Sequence, residues 1–266
     1  MFFSSTKHLP RELTSYDLLK SLAVILMIVD HIGFYFYRDD LWWRAVASSG
    51  PLWFFFVGYA KGRNLTPPIW IGASLLLVAS FVFGSAVFPL NILFAIILVR
   101  LVLDPVMNFC LRSRDNLVLL FFLAFVLSIP SWVFWEYGIV GLLVAMTAWL
   151  LRHKEERPEL RKITFIFCVF SIVSFIVLHA VAFGFEEGQL IVFTASTIGT
   201  FMLAYCFKSK TYPVLTEKTP KLAVAALQIM GRYSLYLYVG HVLLFMLIAA
   251  KVNPEYFGFF EWSWFW

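Results

Sequence analysis

Apolar runs of about twenty residues follow one another along nearly the whole chain, all but a short one at 137–151 long enough for an α-helix to cross the hydrocarbon core of a bilayer. Nine are read, at about 18–37, 42–60, 69–88, 90–110, 116–135, 137–151, 163–184, 189–207 and 230–250. Lipid offers no hydrogen bonds to the backbone, so such runs form helices. Of the 266 residues, 61% are hydrophobic and 14% charged, with a mean hydropathy of +0.83. A soluble domain carries about a quarter charged residues, and this chain has too few polar side chains to cover one globular core. A soluble enzyme, a nucleic-acid-binding module and a disordered chain are thereby excluded. The expectation is an all-α, polytopic transmembrane helix bundle of about nine spans, one domain over residues 1–266.

The connections give the bundle a direction. With the N-terminus cytoplasmic, fifteen lysines and arginines, from Lys7 and Arg11 through Lys218 and Lys221, fall in segments expected inside. Only Arg38 and Lys251 fall outside, against seven acids: Asp39, Asp40, Glu136, Glu186, Glu187, Glu255 and Glu261. That asymmetry follows the positive-inside rule and points to a multi-pass protein with its N-terminus in and its C-terminus out. No cleavable signal peptide is read in the first eighteen residues, which include Lys7, Arg11, Glu12 and Asp17. Phe2 and Phe3 are expected at the interface, and Thr14 and Ser15 as caps of the first helix. Pro105 and Pro130 are expected within spans, where neighbours re-satisfy the freed carbonyls. The aromatic end, Tyr256 to Trp266, is placed in the outer interfacial belt. Cys110, Cys168 and Cys206 form neither a disulfide framework nor a metal-ligand spacing, so no metal site is expected.

Ionisable residues left inside the spans are the candidates for function, because charge at bilayer depth costs about 2.5–3.5 kcal/mol on insertion scales. Lys20 and His31 stand eleven residues apart on one face of the first span, about 16 Å along its axis. Lys20 suits a phosphate at the cytoplasmic mouth, or else it snorkels. His31 suits a general base, or else it bridges two helices. Asp30 is rotated about 100° from His31 and is not expected to orient its ring. Arg44 lies near the outer end of the second run, where snorkelling is the simpler role, and Ser48-Ser49-Gly50-Pro51 is expected to break that run where backbone groups can line a cavity. Arg100 and Asp104 are spaced i,i+4, which permits an intrahelical ion pair; alternatively Arg100 holds an anionic group. In the last span Ser234, Tyr238 and His241 form one polar stripe, with Arg232 as an anchor. His179 is expected to make an interhelical hydrogen bond. No phosphate-cradling glycine loop, His-x-x-x-His pair or Gly-x-Ser-x-Gly turn occurs.

Lys20, ten residues and His31 together resemble the basic-x10-His pattern of the membrane acyltransferase-3 superfamily, and Gly231-Arg232-Tyr233-Ser234-Leu235-Tyr236-Leu237-Tyr238-x-x-His241 resembles its late helix. More closely, Leu19-Lys20-x-Leu22-Ala23-x5-Val29-Asp30-His31-Ile32-Gly33, then Arg44 and Pro51-Leu52-x-Phe54-x-Phe56, resembles the TraX family, named for acetylation of a conjugative pilin's N-terminus. The chain departs from that pattern at Ser48-Ser49-Gly50, where Gly-Arg is expected ahead of Pro51. The resemblance implies transfer of an acyl group, usually acetyl, from cytoplasmic acyl-CoA (acetyl-CoA as donor substrate, with no permanently bound cofactor) to a membrane-associated acceptor. A pilin, a glycan and a lipid headgroup all fit that acceptor. It makes His31 the general base, places Lys20 on the donor's path and matches His241 to the late histidine. Two other readings stand beside it: a transporter or flippase of a small anionic or glycan substrate, and a non-catalytic scaffold of an envelope assembly.

Overall fold

A computed structural model describes residues 10–154 and 156–265. Phe2, Phe3, Lys7 and Trp266, to which roles were assigned above, lie outside the described residues. Helix α1 (Ser15–Phe36) begins at a capping box: the Thr14 hydroxyl accepts from the Asp17 N–H, and the Asp17 carboxylate accepts from the Thr14 N–H at 3.0 Å. Ser15, the other expected cap, lies inside the first turn and donates its hydroxyl to the Lys208 carbonyl at 2.6 Å. The second apolar run is broken, as expected, into α2 (Trp42–Val46) and α3 (Gly50–Tyr59), with Pro51 in the first turn of α3. The break is filled rather than hollow. The Ser196 hydroxyl donates to the Val46 carbonyl at 3.0 Å, and the hydroxyls of Ser48 and Thr197 are 3.0 Å apart.

Helix α4 (Pro67–Val82) stops short of its expected end near 88. Gly84 at φ +69° turns the chain there, and the segment before α5 bonds through Val87 and Phe88 to Ser263 and Trp264 and through Leu90 to Phe134 and Glu136. Helices α5 (Ile92–Cys110) and α6 (Arg114–Phe134) carry Pro105 and Pro130 inside them and are capped by the Asn91 and Ser113 side chains. Helices α7 (Gly138–His153), α8 (Leu160–Phe183) and α9 (Glu187–Tyr205) follow, α8 ending on Gly184 in the left-handed conformation. Two short strands, β1 (Leu13–Thr14) and β2 (Thr211–Tyr212), pair antiparallel and tie the chain ahead of α1 to the segment before α10 (Pro213–Lys218). The last expected run, 230–250, is the single helix α12 (Ser234–Val252), and a helix not expected, α11 (Lys221–Arg232), ends just before it. Among the described residues six helices, α1, α5, α6, α8, α9 and α12, are long and apolar enough to cross a membrane, and α4 and α7 are shorter apolar helices.

Helices α3 and α7 run side by side in the same direction. Gly50 faces Tyr137, Gly141 faces Phe54, and Gly58 abuts the backbone of Ala145 so closely that any Cβ there would collide. Helix α12 parallels α1, with Arg232 reaching Asp17, His241 reaching His31, and the Asn253 amide donating to the Tyr35 carbonyl at 2.8 Å. Phe54, Phe167, Phe175 and Phe193 are fully buried between helices. On α6, by contrast, Val118, Phe122, Phe125 and Ile129 are 60–76% exposed, a face that only lipid would solvate without cost. The two ends of the bundle differ in charge. One carries the loops with Lys61, Arg63, Arg112, Arg152, Lys154 and Lys208; the other carries Asp39, Asp40, Glu136, Glu186 and Glu187. They are called the basic and the acidic end below.

Candidate active site

Two histidines on neighbouring helices are joined by a short hydrogen bond, His31 Nδ1 to His241 Nε2 at 2.7 Å. A third group sets their tautomers. His241 Nδ1 lies 2.6 Å from the Leu237 carbonyl, which only accepts, so Nδ1 carries the hydrogen and Nε2 of the neutral ring is an acceptor. His31 must then donate from Nδ1, and its Nε2 is left as a bare lone pair. The rings stack with centroids 5.0 Å apart, and the Tyr238 ring lies 5.9 Å from His31. His31 lines a cavity of about 550 Å³, a volume suited to a small ligand or the reacting ends of larger ones. His241 stands behind it and does not line the cavity.

The cavity reaches the surface at the acidic end, where the exposed Asp40 and Phe265 line it together with Arg38 and Pro89. Inside, Arg44 pairs with Asp30 at 3.5 Å and lies over the Phe183 ring at 4.3 Å. Arg44 therefore does not snorkel; it is drawn inward by the Asp30 carboxylate and an aromatic face. As the rotation along α1 requires, Asp30 turns to Arg44 rather than to the His31 ring. His179 also lines the cavity, but its Nδ1 meets the Phe175 carbonyl of its own helix at 2.7 Å. The expected interhelical bond is thus replaced by an intrahelical one, with interhelical contact left to the aromatic rings of Trp132 and Phe193. Tyr35, Glu136 and Tyr137, none of them read as site residues, face the same space. Glu136 sits in the α6–α7 turn, where burial pushes its carboxyl up to about 7 although Arg44 pulls the other way. Its visible signal in the sequence is a lone acid in the aromatic stretch Trp135-Glu136-Tyr137.

A second group of charges forms at the basic end. Arg100 is within electrostatic reach of Lys20 and of Arg63. The Arg100 guanidinium donates to the Asn64 carbonyl at 2.8 Å, and Lys20 lies 5.4 Å over the Phe56 ring. Arg63 donates to the Val57, Gly58 and Ala60 carbonyls, and Arg152 also reaches Ala60, so both neutralise the negative end of α3. The pairing read within α5 is not made: Asp104 binds Arg63 at 3.3 Å, because Arg100 turns away to the 60–66 loop. The Nε atoms of Arg63 and Arg100 are buried with no hydrogen-bond partner among the described residues. Ser234 stands seven residues before His241, about 10 Å along α12, and does not line the cavity. Arg232 is more than an anchor, pairing with the buried Asp17 at 3.1 Å and donating to the Pro10 carbonyl. Of the residues singled out in the sequence, Asp30, His31, Arg44, His179, Tyr238 and His241 thus lie around the cavity and Lys20 and Arg100 at the far end, while Ser234 is not part of the cavity.

Comparison with known proteins adds to this geometry. A family model described as "TraX protein" matches residues 15–249. An uncharacterized protein of Rickettsia prowazekii (strain Madrid E) is 24% identical over 259 residues, covering 94% of this chain and 97% of that protein. No solved structure matches.

Proposed function

We propose, from the premise that the chain belongs to the TraX family, that it is a membrane-embedded acyltransferase moving an acetyl group from cytoplasmic acyl-CoA to an acceptor amine or hydroxyl. The acceptor is membrane-associated, on the model of a pilin N-terminus or an envelope glycan. The observation that carries the reading is the histidine pair: a base with a bare Nε2 in a cavity, its other nitrogen held by a second histidine. In this reading the protein crosses the inner membrane nine times, with α2 and α3 as one broken span and the basic end in the cytoplasm. The parallel run of α1 and α12 supports an odd number of spans.

The donor's phosphates meet Lys20 and Arg100 at the basic end. A phosphate oxygen there would satisfy the buried Nε atoms of Arg63 and Arg100. Eleven residues of α1, about 16 Å, separate Lys20 from His31, a distance an extended pantetheine arm covers. The acceptor enters from the acidic end. His31 Nε2 takes its proton as the nucleophile attacks the thioester carbonyl carbon. The imidazolium so formed keeps its Nδ1–H on His241, which is held as an acceptor by Leu237. The oxyanion of the tetrahedral intermediate is stabilised by Arg44 and Tyr238, the cation and the hydroxyl that share the cavity with His31. Collapse breaks the carbon–sulfur bond, and the departing thiolate takes the proton back from His31.

The test is thermal stabilisation of detergent-purified protein by acetyl-CoA. Saturable stabilisation is expected in wild type, weakened in Lys20→Ala and retained in His31→Ala, which loses about 10²–10⁴ in transfer rate. If folded protein is stabilised by no acyl-CoA, the enzyme reading fails and transport of a small anionic or glycan substrate takes its place.

A further inference from the structure

One carboxylate in the cavity has no part in the chemistry above. The Glu136 backbone N–H donates to the Leu90 carbonyl at 2.9 Å, and its carboxylate accepts from the Ile92 N–H, so the α6–α7 turn holds it in place. Across the cavity it faces Asp30, His31 and Tyr35 of α1, Arg44 of α2, His179 of α8 and Tyr238 of α12, with Tyr137 beside it. Asp30 is committed to Arg44. Glu136 enters no ion pair among the described residues. Arg38 and Asp40, which also line the cavity, contribute one charge of each sign. Deeper in, two carboxylates face one guanidinium, so the cavity carries one negative charge in excess when Glu136 is ionised.

That excess bears on the acceptor. A hydroxyl is neutral and has one proton to give, which His31 takes. A primary amine near neutral pH arrives as an ammonium, with an α-amino pKa of about 7.7–8.0, and must shed two protons on the way to an amide. One base does not serve for both. We propose that Glu136 binds the ammonium of an amine acceptor and takes its first proton, which makes the cavity selective for a primary amine over a hydroxyl of the same shape. The ammonium N–H bond breaks, and the proton passes to the carboxylate, leaving a free amine and a neutral acid. The amine attacks the thioester carbon, forming the carbon–nitrogen bond. Its second proton passes through His31 Nε2 to the departing thiolate as the carbon–sulfur bond breaks. Glu136 returns its proton to water at the open end of the cavity. The carboxyl's position at about 7, set by burial against the pull of Arg44, lies close to that of an α-amine and keeps this transfer nearly balanced.

The chemical step rests on the acyl-transfer reading; the recognition of the ammonium does not, and the experiment addresses the recognition. Full-length protein in detergent is titrated with 2-phenylethylamine and with 2-phenylethanol near neutral pH, binding being read by thermal stabilisation in wild type, Glu136→Gln and His31→Ala. Wild type and His31→Ala are expected to bind the amine in preference to the alcohol. Glu136→Gln, whose amide oxygen still accepts from Ile92, is expected to bind the amine at least about tenfold more weakly, the loss of one charge-assisted hydrogen bond. Wild type that binds the two alike overturns the proposal without reference to any variant, and so does a Glu136→Gln protein that keeps the amine preference. A Glu136-dependent amine preference in protein that no acyl-CoA stabilises leaves the cation site standing and removes the acyl-transfer reading.

Discussion

A neutral imidazole pair has two possible hydrogen arrangements, and one carbonyl chooses between them. Leu237 accepts from His241, so the free lone pair of the pair falls on His31 Nε2, in the cavity, rather than on a nitrogen buried between helices. Glu136 shows how far a single side chain is set by its surroundings. Its carboxyl stands at about 7 against an ordinary value of 4.5, burial being the main cause. Between those values the folded protein holds a proton that the unfolded chain has released, so stability falls as pH rises from about 4.5 to about 7 and then levels off. Glu136→Gln is expected to remove that fall and to raise the thermal midpoint relative to wild type above pH 7, by about 3 kcal/mol at most. Unfolding scans of both proteins across this pH range check it; parallel curves would assign the carboxyl an ordinary value. His31, Asp30 and Arg44 were legible as candidates because a charge inside an apolar run is costly wherever it points. Glu136 was not, because an acid in a turn costs nothing until the tertiary structure encloses the turn.

Among the elements, the Gly231-Arg232 portion of the late motif serves as a clasp. Gly231 packs against the Asp17 backbone, where any Cβ would collide, and Arg232 spans Asp17 and the Pro10 carbonyl. Asp17 is 3% exposed, so losing its guanidinium leaves a buried carboxylate without a partner. Arg232→Ala is expected to destabilise the protein by about 3–5 kcal/mol, and Asp17→Asn added to it to recover part of the loss, as measured by thermal unfolding in detergent. A double variant no better than the single would show that the two residues act separately. The clasp sets the register of α12 on α1, which is how His241 arrives at His31. The break between α2 and α3 could be read from Ser48-Ser49-Gly50-Pro51, whereas its packing could not. Local chemistry decides that a helix stops, but Ser196 and Thr197, which fill the gap, come from a helix about 150 residues away in sequence.

At the scale of the whole molecule, residues 257–265 pack beside the cavity. Phe257 is buried, and beyond it the Val87 and Phe88 N–H groups donate to the Ser263 and Trp264 carbonyls at 2.9 and 2.8 Å, with Phe265 lining the cavity. Most of residues 259–265 are exposed, so their removal is expected to leave the bundle folded while opening the cavity. Truncation after Gly258 should raise the rate at which diethyl pyrocarbonate modifies His31 several-fold, as followed by peptide mass spectrometry. An unchanged rate would mean that the tail does not restrict access. The expected segments and the charge asymmetry of the connections needed no contacts to be read, since bilayer thickness sets the first and the cost of moving cations across lipid sets the second. Both are properties of the chain taken in order. Which charges meet is a different kind of fact. Arg44 finds Asp30, Arg63 takes Asp104 from Arg100, and His241 comes behind His31 only once helix rotation and neighbour choice are settled. Those are decided by packing at positions such as Gly58 and Gly231, where the backbones must touch, and no spacing along one helix records them.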